Sequence, residues 1–159
     1  MTVVSAYGLS FDVPAGWDAR VYRRPPTPPE TTHPILHAGN FPLPAGRGDY
    51  GSGAVERMGP GHVFLALLEF HPGAGDSRLF SMSRRPVVLD PGAFRPAALQ
   101  RSLPGQAGTQ TFFSEAGRAF CLYVVLGGWA QRARVVPLAS AALGRIGIAA
   151  EPTPLVGAT

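Results

Sequence analysis

The alternation of apolar and polar residues is most regular between Thr109 and Gly128, TQTFFSEAGRAFCLYVVLGG, and this stretch predicts a β-hairpin. In its second arm Phe120, Leu122, Val124 and Leu126 fall on one face of a sheet, and Cys121, Tyr123 and Val125 on the other. Both faces are apolar, so both must be covered. The first arm, Gln110 to Ser114, reaches the second through Glu115-Ala116-Gly117-Arg118, where glycine supplies the positive φ of a tight reversal. His62 to His71, HVFLALLEFH, repeats the doubly apolar pattern and predicts the neighbouring strand. Leu9, Phe11 and Val13, then Trp17, Ala19 and Val21, alternate with polar residues around Pro14-Ala15-Gly16, which predicts a second hairpin over 8–24. Ile35 to Phe41 predicts a further strand. Leu79 to Leu89 predicts two short strands broken at Arg84-Arg85-Pro86, while 90–108 has no firm period beyond a weak strand or turn near Ala98 to Ser102.

Helical spacing occurs in two places. From Gln131 to Arg145 the residues Val135, Leu138, Ala139, Ala142, Leu143 and Ile146 recur at three- and four-residue intervals, and Pro137 is best tolerated in a first turn, so the helix proper is expected from about Val136. Ser52 to Met58 predicts a short helix capped by Ser52 and ended by Gly59-Pro60. A last short strand is expected at Ile146 to Ala149, before a loose tail at 151–159. Together these elements predict one α+β domain over 1–150, a mostly antiparallel twisted sheet with flanking helices.

Composition adjusts this picture. Hydrophobic residues make up 45% of the 159, charged residues only 15%, and 17 prolines with 20 glycines call for many turns and long irregular connections. The proline-rich 23–34, RRPPTPPETTHP, should run extended over the surface, either as a rigid loop or as a ligand for an aromatic groove. All 14 basic residues are arginine, and together with abundant Ala, Gly and Pro this is the composition of a GC-rich bacterium of actinobacterial type. The net charge of +4 is modest and the arginines are scattered, which argues against nucleic acid as a partner. One cysteine permits no internal disulfide, and neither a basic leader with an apolar core nor an apolar run of about 20 residues is present, so the expected location is cytoplasmic.

Candidate chemistry is sparse. Gly46-Arg47-Gly48-Asp49-Tyr50-Gly51 satisfies G-x-G-x-x-G, with Glu69 at about the spacing of a ribose-binding acid. Pro42 and Pro44 nevertheless separate it from a buried strand, and 52–58 is too short for a crossover helix, so a nucleotide site is not expected. His33 and His37 are four apart in an extended segment, and His62 and His71 bracket one strand, spacings that do not assemble a metal site. Cys121 lies within the most apolar strand, where a thiol acts as a small hydrophobe. Neither a metal nor a cofactor is expected.

GLSFDVPAGW near the start, the antiparallel strands, and a closing helix after GRAFCLYVVLG resemble the PsbP/Mog1-like group of α/β/α sandwich domains. The resemblance implies a sheet flanked by helices and a role as an accessory or interaction protein, as in photosystem assembly subunits, a nuclear-transport cofactor and bacterial lipoproteins; it transfers no functional residue. The functional expectation is therefore a non-catalytic binding or assembly module for another protein, with homo-oligomers left open. The alternative is a small enzyme or ligand carrier built on the glycine-rich connection 39–61. Long connections within compact domains tend to carry function. The expected contact residues are Tyr50 and Arg57 as anchors, with Arg47, Asp49, Arg23 and Arg24 around them.

Overall fold

Nine consecutive residues of the strongest apolar arm, Arg118–Leu126, form a strand that is buried along its whole length. The computed structural model describes residues 2–150. Within them the chain runs β1 (Thr2–Ala6), β2 (Leu9–Val13), β3 (Asp18–Tyr22), β4 (Ile35–Gly39), β5 (Val63–Phe70), β6 (Ala107–Glu115), β7 (Arg118–Leu126), α1 (Arg132–Leu143) and β8 (Ile146–Ile148), with short 3-10 turns between. All strand pairings are antiparallel and fall into two sheets, a five-stranded one ordered β3-β4-β5-β7-β6 and a three-stranded one ordered β1-β2-β8. β7 pairs with β6 through a two-residue turn in which Ala116 and Gly117 both have positive φ, 55° and 75°. That mirror-image turn matches the twist of the strands it joins. On its other side β7 pairs with β5 over eight residues, Val63↔Leu126 to Phe70↔Ala119, as the repeated apolar pattern predicts.

The two faces of the large sheet are covered differently. On one, Leu36, Leu65, Leu67, Phe113, Phe120, Leu122 and Val124 pack against Leu9 and Phe11 of the small sheet and Val135, Val136, Ala139 and Leu143 of α1. On the other, Ile35, Phe64, Ala66, Leu68, Tyr123 and Val125 meet Phe41, Ala54 and Val55, with Tyr50, Leu99 and Leu103 packed around them. This second cover is irregular chain, and α1 is the single α-helix among the described residues. The expected α/β/α sandwich with flanking helices is therefore corrected to a mostly β arrangement of two antiparallel sheets. The reason lies in proline and glycine density: segments 39–61 and 90–108 lose backbone donors and gain chain entropy at so many positions that they settle as 3-10 turns on the sheet. Ser52 to Met58 contracts to the 3-10 turn Val55–Arg57, with Ala54 rather than Ser52 at its N-cap. The strands expected in 79–89 are absent; Arg78–Phe80 is a 3-10 turn and the following residues are irregular.

A second correction concerns residues 8–24. The strands form, but they enter different sheets, because β2 has β1 on one edge and β8 on the other. The turn between β2 and β3 is closed by the Trp17 N–H donating to the Pro14 carbonyl at 3.1 Å, and only Gly16 has positive φ. A turn of that hand splays its flanking strands instead of pairing them. The true partner of β2 is β1, joined through Tyr7-Gly8, both at positive φ, 53° and 76°. In α1 the helix begins at Arg132, so Pro137 lies inside it, and Leu138, expected on the buried stripe, is 45% exposed. The expected loose tail at 151–159 lies outside the described residues.

A buried ion pair within the large sheet also reaches the small one. Arg118 on β7 donates from Nε to Glu69 Oε2 at 2.8 Å and from Nη2 to Oε1 at 2.7 Å, with side chains 3% and 6% exposed. The same guanidinium donates to the carbonyls of Tyr7, in the β1–β2 turn, and Ala149, just past β8, both at 2.9 Å.

Two outcomes are expected. Val124 is fully buried between the sheets, so Val124→Asp places an unpaired carboxylate there and abolishes cooperative unfolding; a cooperative melt within a few degrees of the parent contradicts this. Arg118→Met strands the Glu69 carboxylate and costs about 3–5 kcal/mol in urea denaturation, whereas Arg118→Met with Glu69→Leu regains most of that loss. Additive losses in the double variant would place the stability elsewhere than in the pair.

Candidate functional site

Strand β4 carries one polar side chain into the second core. His37 is fully buried, between Ala66 on β5 and Arg20 on β3 in register, and its ring stands edge-on to Phe64 and Tyr22 at 5.0 and 5.2 Å. A buried imidazole needs both nitrogens satisfied, and the irregular cover supplies the partners. Arg47 Nε donates to Nδ1 at 2.8 Å, and the Asp49 carbonyl lies 2.7 Å from Nε2. The carbonyl can only accept, so Nε2 carries the proton and the ring is neutral. Burial is the main cause that lowers its pKa to about 4, and the Arg47 guanidinium adds to the shift.

The network continues outward. The Asp49 carboxylate accepts from Tyr22 Oη at 2.8 Å and Arg24 Nε at 2.6 Å, and Arg24 Nη2 reaches the Arg47 carbonyl at 3.3 Å. Burial, followed by the Asp49 carboxylate, pushes the Tyr22 phenol above its ordinary pKa. Tyr22 and Arg24 lie at the end of β3 and the start of the proline-rich strap, whereas Arg47 and Asp49 belong to the glycine-rich connection. The cluster thus pins two irregular segments to each other and, through His37, to the sheet.

Between these segments opens a cleft of about 340 Å³. Arg24, Glu30, Thr31, Thr32, His33, Asp49 and Tyr50 form its polar walls, and Ile35 with the end of β5, Leu68, Glu69 and Phe70, its floor. Of the six expected contact residues, Arg24, Asp49 and Tyr50 line the cleft and Arg47 holds it from behind. Arg23 is not among the cleft-lining residues and donates to Thr32 Oγ1 at 3.1 Å, bracing the strap on itself. Arg57 stands apart, exposed on its 3-10 turn, in neither the network nor the cleft. Tyr50 is half-buried, edge-on to Tyr123 at 5.4 Å, so it covers the sheet as well as lining the cleft.

The glycine fingerprint has a packing explanation. Gly51 has φ of +88°, and a Cβ there would stand 2.5 Å from Phe64 Cε1, so glycine is what lets the connection lie flat on the sheet. Glu69, at the ribose-acid spacing, also borders the cleft, but its carboxylate is taken up by Arg118 at 2.7 Å. Cys121 is buried in β7, and burial pushes its thiol pKa up to about 12, which keeps it protonated. Sequence reasoning did not single out Tyr22, His37 as a network member, or Arg118. The one available signal was a histidine inside an otherwise apolar strand, ILHAG, which must find partners once both faces are covered. No family model, curated protein or solved structure matches the chain.

The network has a pH signature. In the unfolded chain His37 titrates near 6.5, while in the folded protein its pKa is about 4. The unfolded state therefore binds a proton first, and stability present above pH 6.5 is lost as the pH falls toward 4, by up to about 3 kcal/mol. Urea denaturation of wild type and His37→Gln between pH 7 and pH 4.5 should show a smaller pH-dependent loss in the variant; equal losses would mean that His37 is not the titrating group.

Proposed function

We propose that this protein is a non-catalytic binding module whose contact face is the strap 23–34 together with the connection 40–58, and that the partner is another protein. The single observation that carries the reading is the Tyr22–Arg24–His37–Arg47–Asp49 network. It makes one preorganised surface of two segments that carry no strand of their own, and preorganisation reduces the ordering cost of association. Its titratable groups are engaged with one another: Asp49 is held by Tyr22 and Arg24, and His37 by Arg47 and the Asp49 carbonyl. Such groups position backbone. The exposed arginines of the strap, Arg23 and Arg24, flank this surface, and Arg57 extends the face further along the connection; these are residues of the kind that anchor protein interfaces.

A second reading is favoured by one specific observation. The cleft volume of about 340 Å³ lies within the range of small-molecule sites, and its walls combine convergent polar groups with a mostly apolar floor. A ligand carrier would use the same preorganised walls. Native mass spectrometry of protein purified from its own host separates the readings, since a carrier retains a small ligand at stoichiometric ratio.

Thr31 and Arg57 are both exposed, so Thr31→Trp, which fills the cleft mouth, and Arg57→Ala should each shift stability by less than about 0.5 kcal/mol. Each is expected to reduce recovery of the partner from host lysate by at least about tenfold, equivalent to about 1.4 kcal/mol of binding. Recovery of the same partners in the same amounts by both variants overturns the proposed face.

A further inference from the structure

The large sheet ends on β6, and the free edge of that strand is not uniform. In the β6–β7 hairpin, Glu115↔Arg118 flanks the two-residue turn and exchanges hydrogen bonds, so the odd residues of β6 bond to β7 and the even residues point their N–H and C=O groups away from the sheet. At one end, Gly108 exchanges both bonds with Arg95, N to O at 3.0 Å each way. At the other, the Ser114 N–H donates to the Met82 carbonyl at 2.7 Å. Between them the N–H and C=O groups of Gln110 and Phe112 have no partner among the described residues. The lane from Gly108 to Ser114 is roughly 20 Å long at strand rise, and its middle is open.

We propose that this gap is a docking site for a short extended peptide segment, carrying a carboxylate, that adds as a strand to β6. Four unpaired backbone groups in strand geometry are what β-strand addition requires. A groove of about 510 Å³ runs beside the lane, formed by Ala93, Arg95 and residues 97–100 on one side and Thr109 and Gln110 on the other. Charge selects the occupant. Arg95 at one end and Arg84 beside the other are exposed and reach no carboxylate among the described residues, while Glu115, the one acid on β6, is engaged by Arg85 at 2.7 Å. The side chain facing Gln110 shares a face with Arg95 and is the acidic position. The one facing Phe112 adjoins the Phe70–Phe80–Phe112 ring cluster and is apolar. Length excludes the same edge of a second copy: a β6 of nine residues laid antiparallel in this lane would run into Arg95 and Met82, so the segment is three to five residues long. Strand order puts β6 and β3 on opposite edges of the large sheet, so the strand lane lies away from the strap, while the groove beside it adjoins the connection 40–58 where Arg101 pairs with Glu56 at 2.9 Å.

The probe is the blocked pentapeptide Ac-Thr-Val-Thr-Glu-Thr-NH2, titrated into the full chain to millimolar concentration while backbone amide resonances and hydrogen exchange are followed. Exchange at Gln110 and Phe112 should slow at least tenfold, with little change at Thr109 and Thr111, whose amides already bond to β7. The same peptide N-methylated at its Val and Glu nitrogens should not bind, and Arg95→Glu should weaken the parent peptide at least tenfold. The proposal is overturned by unchanged exchange at Gln110 and Phe112, by equal binding of the N-methylated peptide to wild type, or by shifts confined to another surface. Because the N-methylated peptide is tested on wild type, the result stands even where Arg95→Glu does not fold.

Discussion

The Arg118–Glu69 pair is the constraint on which the arrangement of the two sheets depends. Glu69 sits near the end of β5 and Arg118 at the start of β7, both on the face that meets the small sheet, where the apolar core gives way to the β1–β2 turn and the end of β8. An isolated charge at such a site would cost several kcal/mol, so each group is tolerable only with the other present. Once paired, the guanidinium still has donors to place, and the carbonyls of Tyr7 and Ala149 receive them. A side chain that satisfies itself only when three chain segments meet makes the docking of the small sheet a matter of register, not of apolar contact alone. Arg85 acts in a similar way at the neighbouring turn, binding Glu115 and the Ile146 carbonyl, so β8 is held to the hairpin by two arginines.

How much of this was legible follows from where the information resides. The central strands could be read because burial on both faces leaves a continuous apolar run, and the division of 120–126 between faces follows from the two-residue period. The β6–β7 turn could be read because its glycine is at a position that demands positive φ. β1 escaped because its turn is Tyr7-Gly8, where the first residue gives no sign of a left-handed backbone, and because its strand is mostly exposed. The crossing from β2 to β3 is not legible, because alternating segments around Pro-Ala-Gly look like a hairpin whichever way the turn twists. The place of α1 is legible in its spacing, but local rules put Pro137 in a first turn; packing of Val135, Val136, Ala139 and Leu143 on the sheet overrides that preference.

The candidate site was half legible for a different reason. A long glycine-rich connection announces itself, and four of the six expected contact residues belong to the network or to the cleft. What makes the site is long-range pairing, Tyr22 with Asp49 and Arg47 with His37, and no local pattern records which residues of two distant segments will share a hydrogen bond. Arg57 illustrates the limit. It lies in the same connection as Arg47, yet the 3-10 turn at 55–57 leaves it exposed, apart from the cleft.

The second cover also explains why a mostly β protein of this size can dispense with a second layer of helices. Irregular chain laid on a sheet brings unpaired backbone groups against an apolar surface, a cost that helices avoid by bonding internally. Here side chains meet that cost. His37 takes the Asp49 carbonyl, Gln106 Nε2 donates to the Val55 carbonyl at 2.7 Å, and the Tyr123 hydroxyl accepts from the Gln100 amide at 2.9 Å. His37, Gln106 and Tyr123 are thus each tied through one polar atom to a backbone group of the segment lying on the sheet, while Gln106 Oε1 and Arg47 Nη2 are buried without a partner among the described residues. The glycines allow those segments to come close, as Gly51 does over Phe64, and the buried polar side chains give them one place to settle. A cover held in this way is specified in position while remaining free of regular structure, which leaves its outer surface available for recognition.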